Sequence, residues 1–171
     1  LESHGLAEAH PVHGVYQYHD IVRALEAQGY EVMSEIRASE VPFGGYADQV
    51  AGQVQSLIES GVLPEHITVL GHSKGGLMTL IVASRLNQPN VNYIVMAGCG
   101  KVGTAFRRPY QIFLDQDARQ LKGRLLSIYD AGDREAGSCE EAFSLATDTE
   151  TKEVILHTGQ GHGLFYSPDP V

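Results

Sequence analysis

The chain has 171 residues, about the size of one domain and long enough to bury a proper core. Lysine and arginine number 12 against 21 aspartates and glutamates, a net charge of −9, so nucleic acid and anionic membrane surfaces are poor partners. No apolar run approaches the ~18 residues a membrane helix needs, which predicts a soluble protein without a membrane span. The sequence opens at Leu1 rather than Met, so the compartment stays open between the cytoplasm and, after loss of a signal peptide, the periplasm or exterior.

In chain order, His4, His10, His13 and His19 crowd the beginning, and then Val15, Tyr18, Ile21, Val22 and Leu25 share one helical face before Gly29. "YEVMSEI" (Tyr30 to Ile36) has β-prone composition and predicts a strand. A second helical face follows in Tyr46, Val50, Val54, Leu57 and Ile58, ending at Gly61. "ITVLG" (Ile67 to Gly71) predicts the next strand, and it runs through His-Ser-Lys-Gly-Gly into "LMTLIVASRL", a helix apolar nearly all round and therefore central. "NYIVMAG" (Asn92 to Gly98), "RLLSIYD" (Arg124 to Asp130) and "KEVILHT" (Lys152 to Thr158) are further short strands, with room for about one helix between the first two. Strands that alternate with helices and are apolar on both faces predict a parallel sheet covered on both sides by right-handed crossovers. No linker, repeat or low-complexity segment divides residues 1–171, which read as one domain. Reactive groups in such a sheet belong in loops at the carboxyl ends of the strands.

Ser73 lies just past one such strand end. Gly71, Gly75 and Gly76 remove the side chains that would block a very sharp turn, and the following helix offers its positive dipole end. The spacing G-x-x-x-x-G-K-[ST] of a phosphate loop is absent, whereas Gly71-His72-Ser73-Lys74-Gly75 fits G-x-S-x-G between strand and helix. In that context the stretch resembles the nucleophile elbow of the α/β-hydrolase family. The resemblance covers nearly the whole chain and implies a three-layer α/β sandwich around a mostly parallel central sheet, without a lid domain.

The resemblance also implies roles for particular residues. Ser73 would be the nucleophile. His162, in the glycine-rich loop "TGQGHGLF" after the last strand, would be the general base. His157 belongs to the strand run and reads as a packed or edge histidine, while His72 should point away from the nucleophile. Two aspartates compete for the acid in "IYDAGDREAG". The family's G-x-x-D register selects Asp133 and puts Asp130 at the usual glycine position; the structural alternative is that one of the two merely caps the helix near Ser138 to Leu145. For the oxyanion hole, the family implies the backbone N–H of Lys74 and a second donor from a loop that commonly begins His-Gly. Here "SHGL" assigns that donor to Leu6, with Gly5 beside it. Leu1 to Ser3 would then be the stub of a strand, with the family's earlier strands before it and its last helix after Val171, unless this is a minimal version.

Other features have plainer readings. The N-terminal histidines are joined by no carboxylate or cysteine in a known ligand spacing, so they read as loop residues around the site's mouth rather than a metal centre. Cys99 and Cys139 each follow one of two neighbouring strands, and both a disulfide and two buried thiols remain open. The expected function is a serine hydrolase acting on a small or exposed carboxylic ester, or else a thioester or amide, with no cofactor. The alternative is a non-catalytic ligand-binding protein on the same fold.

Overall fold

A computed structural model of the chain describes residues 9–36, 42–147 and 149–168. Its centre is a sheet of four parallel strands, β1 (Thr68–His72), β2 (Asn92–Met96), β4 (Arg124–Asp130) and β6 (Glu150–Leu156), in the spatial order β1-β2-β4-β6. Each strand lies beside the next in sequence, with Gly71 opposite Val95, Val95 opposite Ser127 and Asp130 opposite Leu156. A two-stranded antiparallel ribbon, β3 (Cys99–Gly100) with β5 (Ala136–Gly137), stands beside the carboxyl end of the sheet. The sheet is thus mostly parallel and flanked by helices.

Those helices are α1 (Tyr18–Ala27), α2 (Phe43–Glu59), α3 (Lys74–Leu86), α4 (Arg107–Gln116) and α5 (Glu140–Leu145). Helix α3 crosses from β1 to β2 and packs on both, and α2 packs on α3. Every α3 residue from Gly76 to Ser84 is buried, the environment that its all-round apolar composition requires. The α2 face buries Ala47 and Val54 and lays Val50, Leu57 and Ile58 against the core. That core joins Leu77, Leu80 and Val82 of α3 to Tyr93, Val95 and Leu125 of the sheet and to Tyr110 and Phe113 of α4. Arg107 ties α4 to α5 by donating to both oxygens of Glu141, at 2.7 and 2.8 Å. Cys99 and Cys139 form a disulfide that closes a 40-residue separation and staples the β3 end to the start of α5. Among the described residues, no helix is long and apolar enough to cross a membrane.

Tyr30–Ile36 departs from its expected strand. The segment is irregular and pairs with nothing in the sheet. A cleft of about 1140 Å³ separates it from β1, lined on one side by Tyr30–Ile36 and on the other by Thr68–His72. β-Propensity makes a strand only where a neighbour completes the ladder, and the cleft withholds that neighbour. Two smaller differences concern ends: β6 spans Glu150–Leu156, and neither aspartate caps α5, whose first turn receives no side-chain cap from its N-cap Cys139. Ser138 accepts the Glu140 N–H there instead, at 3.0 Å.

Candidate active site

β1 ends in a turn too tight for ordinary residues. A Cβ on Gly71 would stand 2.2 Å from the Gly75 carbonyl oxygen, and one on Gly76 would stand 2.8 Å from the Gly98 Cα, so strand, turn and helix touch backbone to backbone. Ser73 sits at the apex with φ 56° and ψ −119°, a conformation that costs a non-glycine residue of order 1–3 kcal/mol and survives only where the surroundings impose it. Those surroundings are a bond from the Ser73 N–H to the Met96 carbonyl (2.8 Å) and one from the Leu77 N–H to the Ser73 carbonyl (3.1 Å). The hydroxyl is thereby placed at the N-terminus of α3, the positive end of that helix's dipole.

The loop after β6 brings His162 to that hydroxyl. Residues Gly161–Tyr166 form a 3₁₀ turn, and His162 Nε2 lies 2.8 Å from Ser73 Oγ. Its Nδ1 lies 2.8 Å from Asp133 Oδ2. His162 and Asp133 are both buried, at 6% and 2% exposure, so the bond between them is shielded from bulk water, while the bond to Ser73 is part-buried. A carboxylate oxygen can only accept, so Nδ1 carries the hydrogen and donates to it. Neutral imidazole then offers Nε2 as an acceptor, to which the Ser73 hydroxyl donates. Asp133 is fixed in turn by donation from the Glu135 and Ala136 N–H groups to its Oδ1, at 2.8 and 3.0 Å. Burial works to raise its pKa, but the bonds from His162, Ala136 and Glu135 outweigh it and hold the carboxyl below its ordinary value.

Asp130 has different work. It is the last residue of β4, fully buried, and its carboxylate accepts the Thr158 hydroxyl (2.6 Å), the Thr158 N–H (2.8 Å), the Gly132 N–H (2.8 Å) and the Gly161 N–H (3.3 Å). These bonds, the Thr158 hydroxyl foremost, lower its pKa to about 2. Asp130 therefore ties the end of β4 to the loop that carries His162 without touching the imidazole.

The histidines beside the site include one contact that was not expected: the His72 ring centre lies 4.9 Å from that of His162, against Phe165 and Tyr166 and stacked on Tyr16. Burial, then the neighbouring His162, lowers its pKa to about 3, so it stays neutral, and its Nε2 is buried with no hydrogen-bond partner among the described residues. His13 reaches within 5.9 Å of the His162 ring and stacks on His10, while His19 lies on α1 against Tyr18 and His157 is exposed just after β6. Among the described residues, no group of three or more histidines, cysteines and acidic residues could hold a metal ion. Lys74 is exposed at the start of α3. His4, Gly5 and Leu6, and with the latter two the second oxyanion donor expected from the sequence, lie outside the described residues. The contact between His72 and His162, which the sequence reading missed, had no local signal, because it depends on where a loop 90 positions downstream folds back.

The sequence matches no protein-family model and no curated protein sequence. Solved structures do resemble it. A sugar hydrolase from Lactococcus lactis superposes with a TM-score of 0.58 at 11% identity, over 88% of this chain and 71% of that one. A lipase-esterase related protein from Clostridium acetobutylicum superposes at 0.56 with 16% identity, over 80% and 74%. Dipeptidyl peptidase 4 from Porphyromonas gingivalis gives 0.52 and 16%, over 69% of this chain but only 20% of the peptidase. With its parallel sheet, its sharp turn after β1 and these neighbours, the chain has the fold of the α/β-hydrolase family.

Proposed function

We propose that the protein is a serine hydrolase that cleaves a small or exposed carboxylic ester through an acyl-enzyme on Ser73, a thioester or amide being the secondary substrate class. The observation that carries this reading is the unbroken chain of hydrogen bonds from Asp133 through His162 to Ser73. In this mechanism Ser73 Oγ attacks the substrate carbonyl while its proton passes to His162 Nε2, and Asp133 stabilises the imidazolium that results. The oxyanion receives the backbone N–H of Lys74 and, as the family resemblance implies, that of Leu6 beside Gly5. His162 then returns its proton to the leaving alcohol as the tetrahedral intermediate collapses. Water, deprotonated by the same nitrogen, releases the acid and restores Ser73.

The hydrolase descriptions of the similar structures support this class but span sugar, ester and peptide chemistry, so they do not choose the substrate. A chain-length series of aryl esters, with a fluorophosphonate label for the serine, is the deciding experiment. Ser73→Ala should abolish labelling and lower turnover by at least ~10³-fold while circular dichroism stays unchanged. A folded wild-type chain that neither labels nor hydrolyses any ester would instead support a binding protein on this fold.

A further inference from the structure

Asp133 can meet His162 only if the backbone at residue 133 is held in one pose, because its Oδ1 is already committed to the N–H groups of Glu135 and Ala136. That pose is gripped from outside the loop. Just after β3, the Lys101 N–H donates to the Glu135 carbonyl (2.9 Å), and the Lys101 ammonium donates to the Asp133 carbonyl. Thr104 locks the lysine backbone, donating from its hydroxyl to the Lys101 carbonyl at 2.8 Å. The path of the side chain is also prepared. Lys101 lies across Gly137, where a Cβ would come within 2.7 Å of its Cε, so a side chain at 137 would push the stem aside. The pairs Cys99 with Gly137 and Gly100 with Ala136, closed by the disulfide from Cys99 to Cys139, fix the two segments against each other. A lysine usually keeps its ammonium in water and its stem mobile; here the stem is ordered over a glycine to reach one carbonyl. An ammonium donating to a carbonyl in a partly buried site makes a short, strong bond.

We propose that Lys101 is a positioning residue for Asp133: its ammonium holds the residue-133 carbonyl so that the carboxylate stays in line with His162 Nδ1. This role rests on the proposed hydrolase reading for its effect on turnover, but its geometric content stands independently of any substrate. Lys101 touches neither Ser73 nor His162, and it acts through the acid alone.

The test compares the full chain with Lys101→Met, which keeps the length of the stem and removes the donor, and Lys101→Arg, which restores one. The substrate-independent readout is the downfield imidazole N–H proton resonance of His162 in its bond to Asp133. It should shift upfield or broaden away in Lys101→Met and return in Lys101→Arg. On an aryl ester, Lys101→Met should lower kcat by roughly 10- to 100-fold with KM within about twofold, the scale on which a misplaced catalytic group loses rate. In an Asp133→Asn background the same substitution should lower kcat no further, since the group it positions is gone. Should Lys101→Met fail to fold, Gly137→Ala displaces the lysine stem from the other side and should produce the same loss of resonance. A folded variant with the resonance and kcat of the wild type overturns the proposal, as does an equal loss of kcat with and without Asp133→Asn. If the wild type neither labels with a fluorophosphonate nor hydrolyses esters, the hydrolase reading fails, and the resonance comparison still decides what Lys101 does.

Discussion

Asp130 and Asp133 are three residues apart and equally acidic by composition, yet their surroundings make them different instruments. Asp133 spends one oxygen on its own loop and the other on His162, so Asp133→Asn should leave the fold intact and lower kcat steeply. The expected loss is perhaps ~10⁴-fold, the scale seen when an amide favours the wrong histidine tautomer in a serine protease. Asp130→Asn should act on stability, by about 2–3 kcal/mol, because four donors that face a buried carboxylate would face a neutral amide. The pH dependence has a definite sign. The folded pKa of Asp130, about 2, lies below its ordinary 3.8, so the stabilisation is complete above about pH 4 and is lost as the pH falls from there toward 2. Urea midpoints at pH 5 and pH 3 should therefore converge for wild type and Asp130→Asn as the pH drops, and parallel midpoints would contradict the assignment. The different positions of the two residues were readable in the sequence, because strand end and loop follow from local register. The four donors to Asp130 were not, because two of its partners, Thr158 and Gly161, stand 28 and 31 residues away.

At the scale of the element, the turn from β1 to α3 depends on contact between backbones, and its glycines are not equivalent. Gly76 meets Gly98 where α3 crosses β2, and an added methyl would have to part helix from strand. Gly75 has nothing within 4 Å of its Cβ direction, although it is the residue that completes G-x-S-x-G. Gly76→Ala should cost about 1–3 kcal/mol as overpacking. Gly75→Ala should be neutral or stabilising by up to about 1 kcal/mol, since alanine is the better helix former. Thermal melts of the two variants would check this, and equal destabilisation would mean that motif membership, not packing, sets the cost. Four of the five strands read from the sequence correspond to β1, β2, β4 and β6, because each is a short β-prone run bounded by turn residues, and the central pair, β2 and β4, is in addition apolar on both faces. Tyr30–Ile36 has the same composition and no ladder, because pairing depends on what stands beside a segment and not on the segment itself. The ribbon of β3 and β5 was illegible for the opposite reason. Two residues per strand leave no period to detect, and the disulfide next to it could be read only as one of two options.

Across the whole molecule, sheet and charge pull in opposite directions. β1 is an edge strand among the described residues, with Thr68, Val69, Leu70, Gly71 and His72 offering neither charge nor proline to discourage pairing. Beside it, Leu70 is 40% exposed and Met33 and Tyr30 about 60%, so apolar surface accompanies open backbone donors and acceptors. Such an edge is a template for another strand. Against this stands the net charge of −9, which makes two copies repel each other at low ionic strength. Screening decides which effect wins, since the Debye length falls from about 30 Å at 0.01 M salt to about 10 Å at 0.1 M and about 3 Å at 1 M. The chain should therefore sediment as a monomer in dilute buffer and associate progressively as salt is raised, the reverse of an assembly held by ion pairs. Leu70→Lys places a charge on the edge strand, removes apolar surface and should keep the chain monomeric at high salt with little change in the melting temperature. Sedimentation velocity at low and high salt on both proteins would test this. A wild type that stays monomeric throughout, or a Leu70→Lys variant that associates equally well, would show that the edge of β1 does not mediate association.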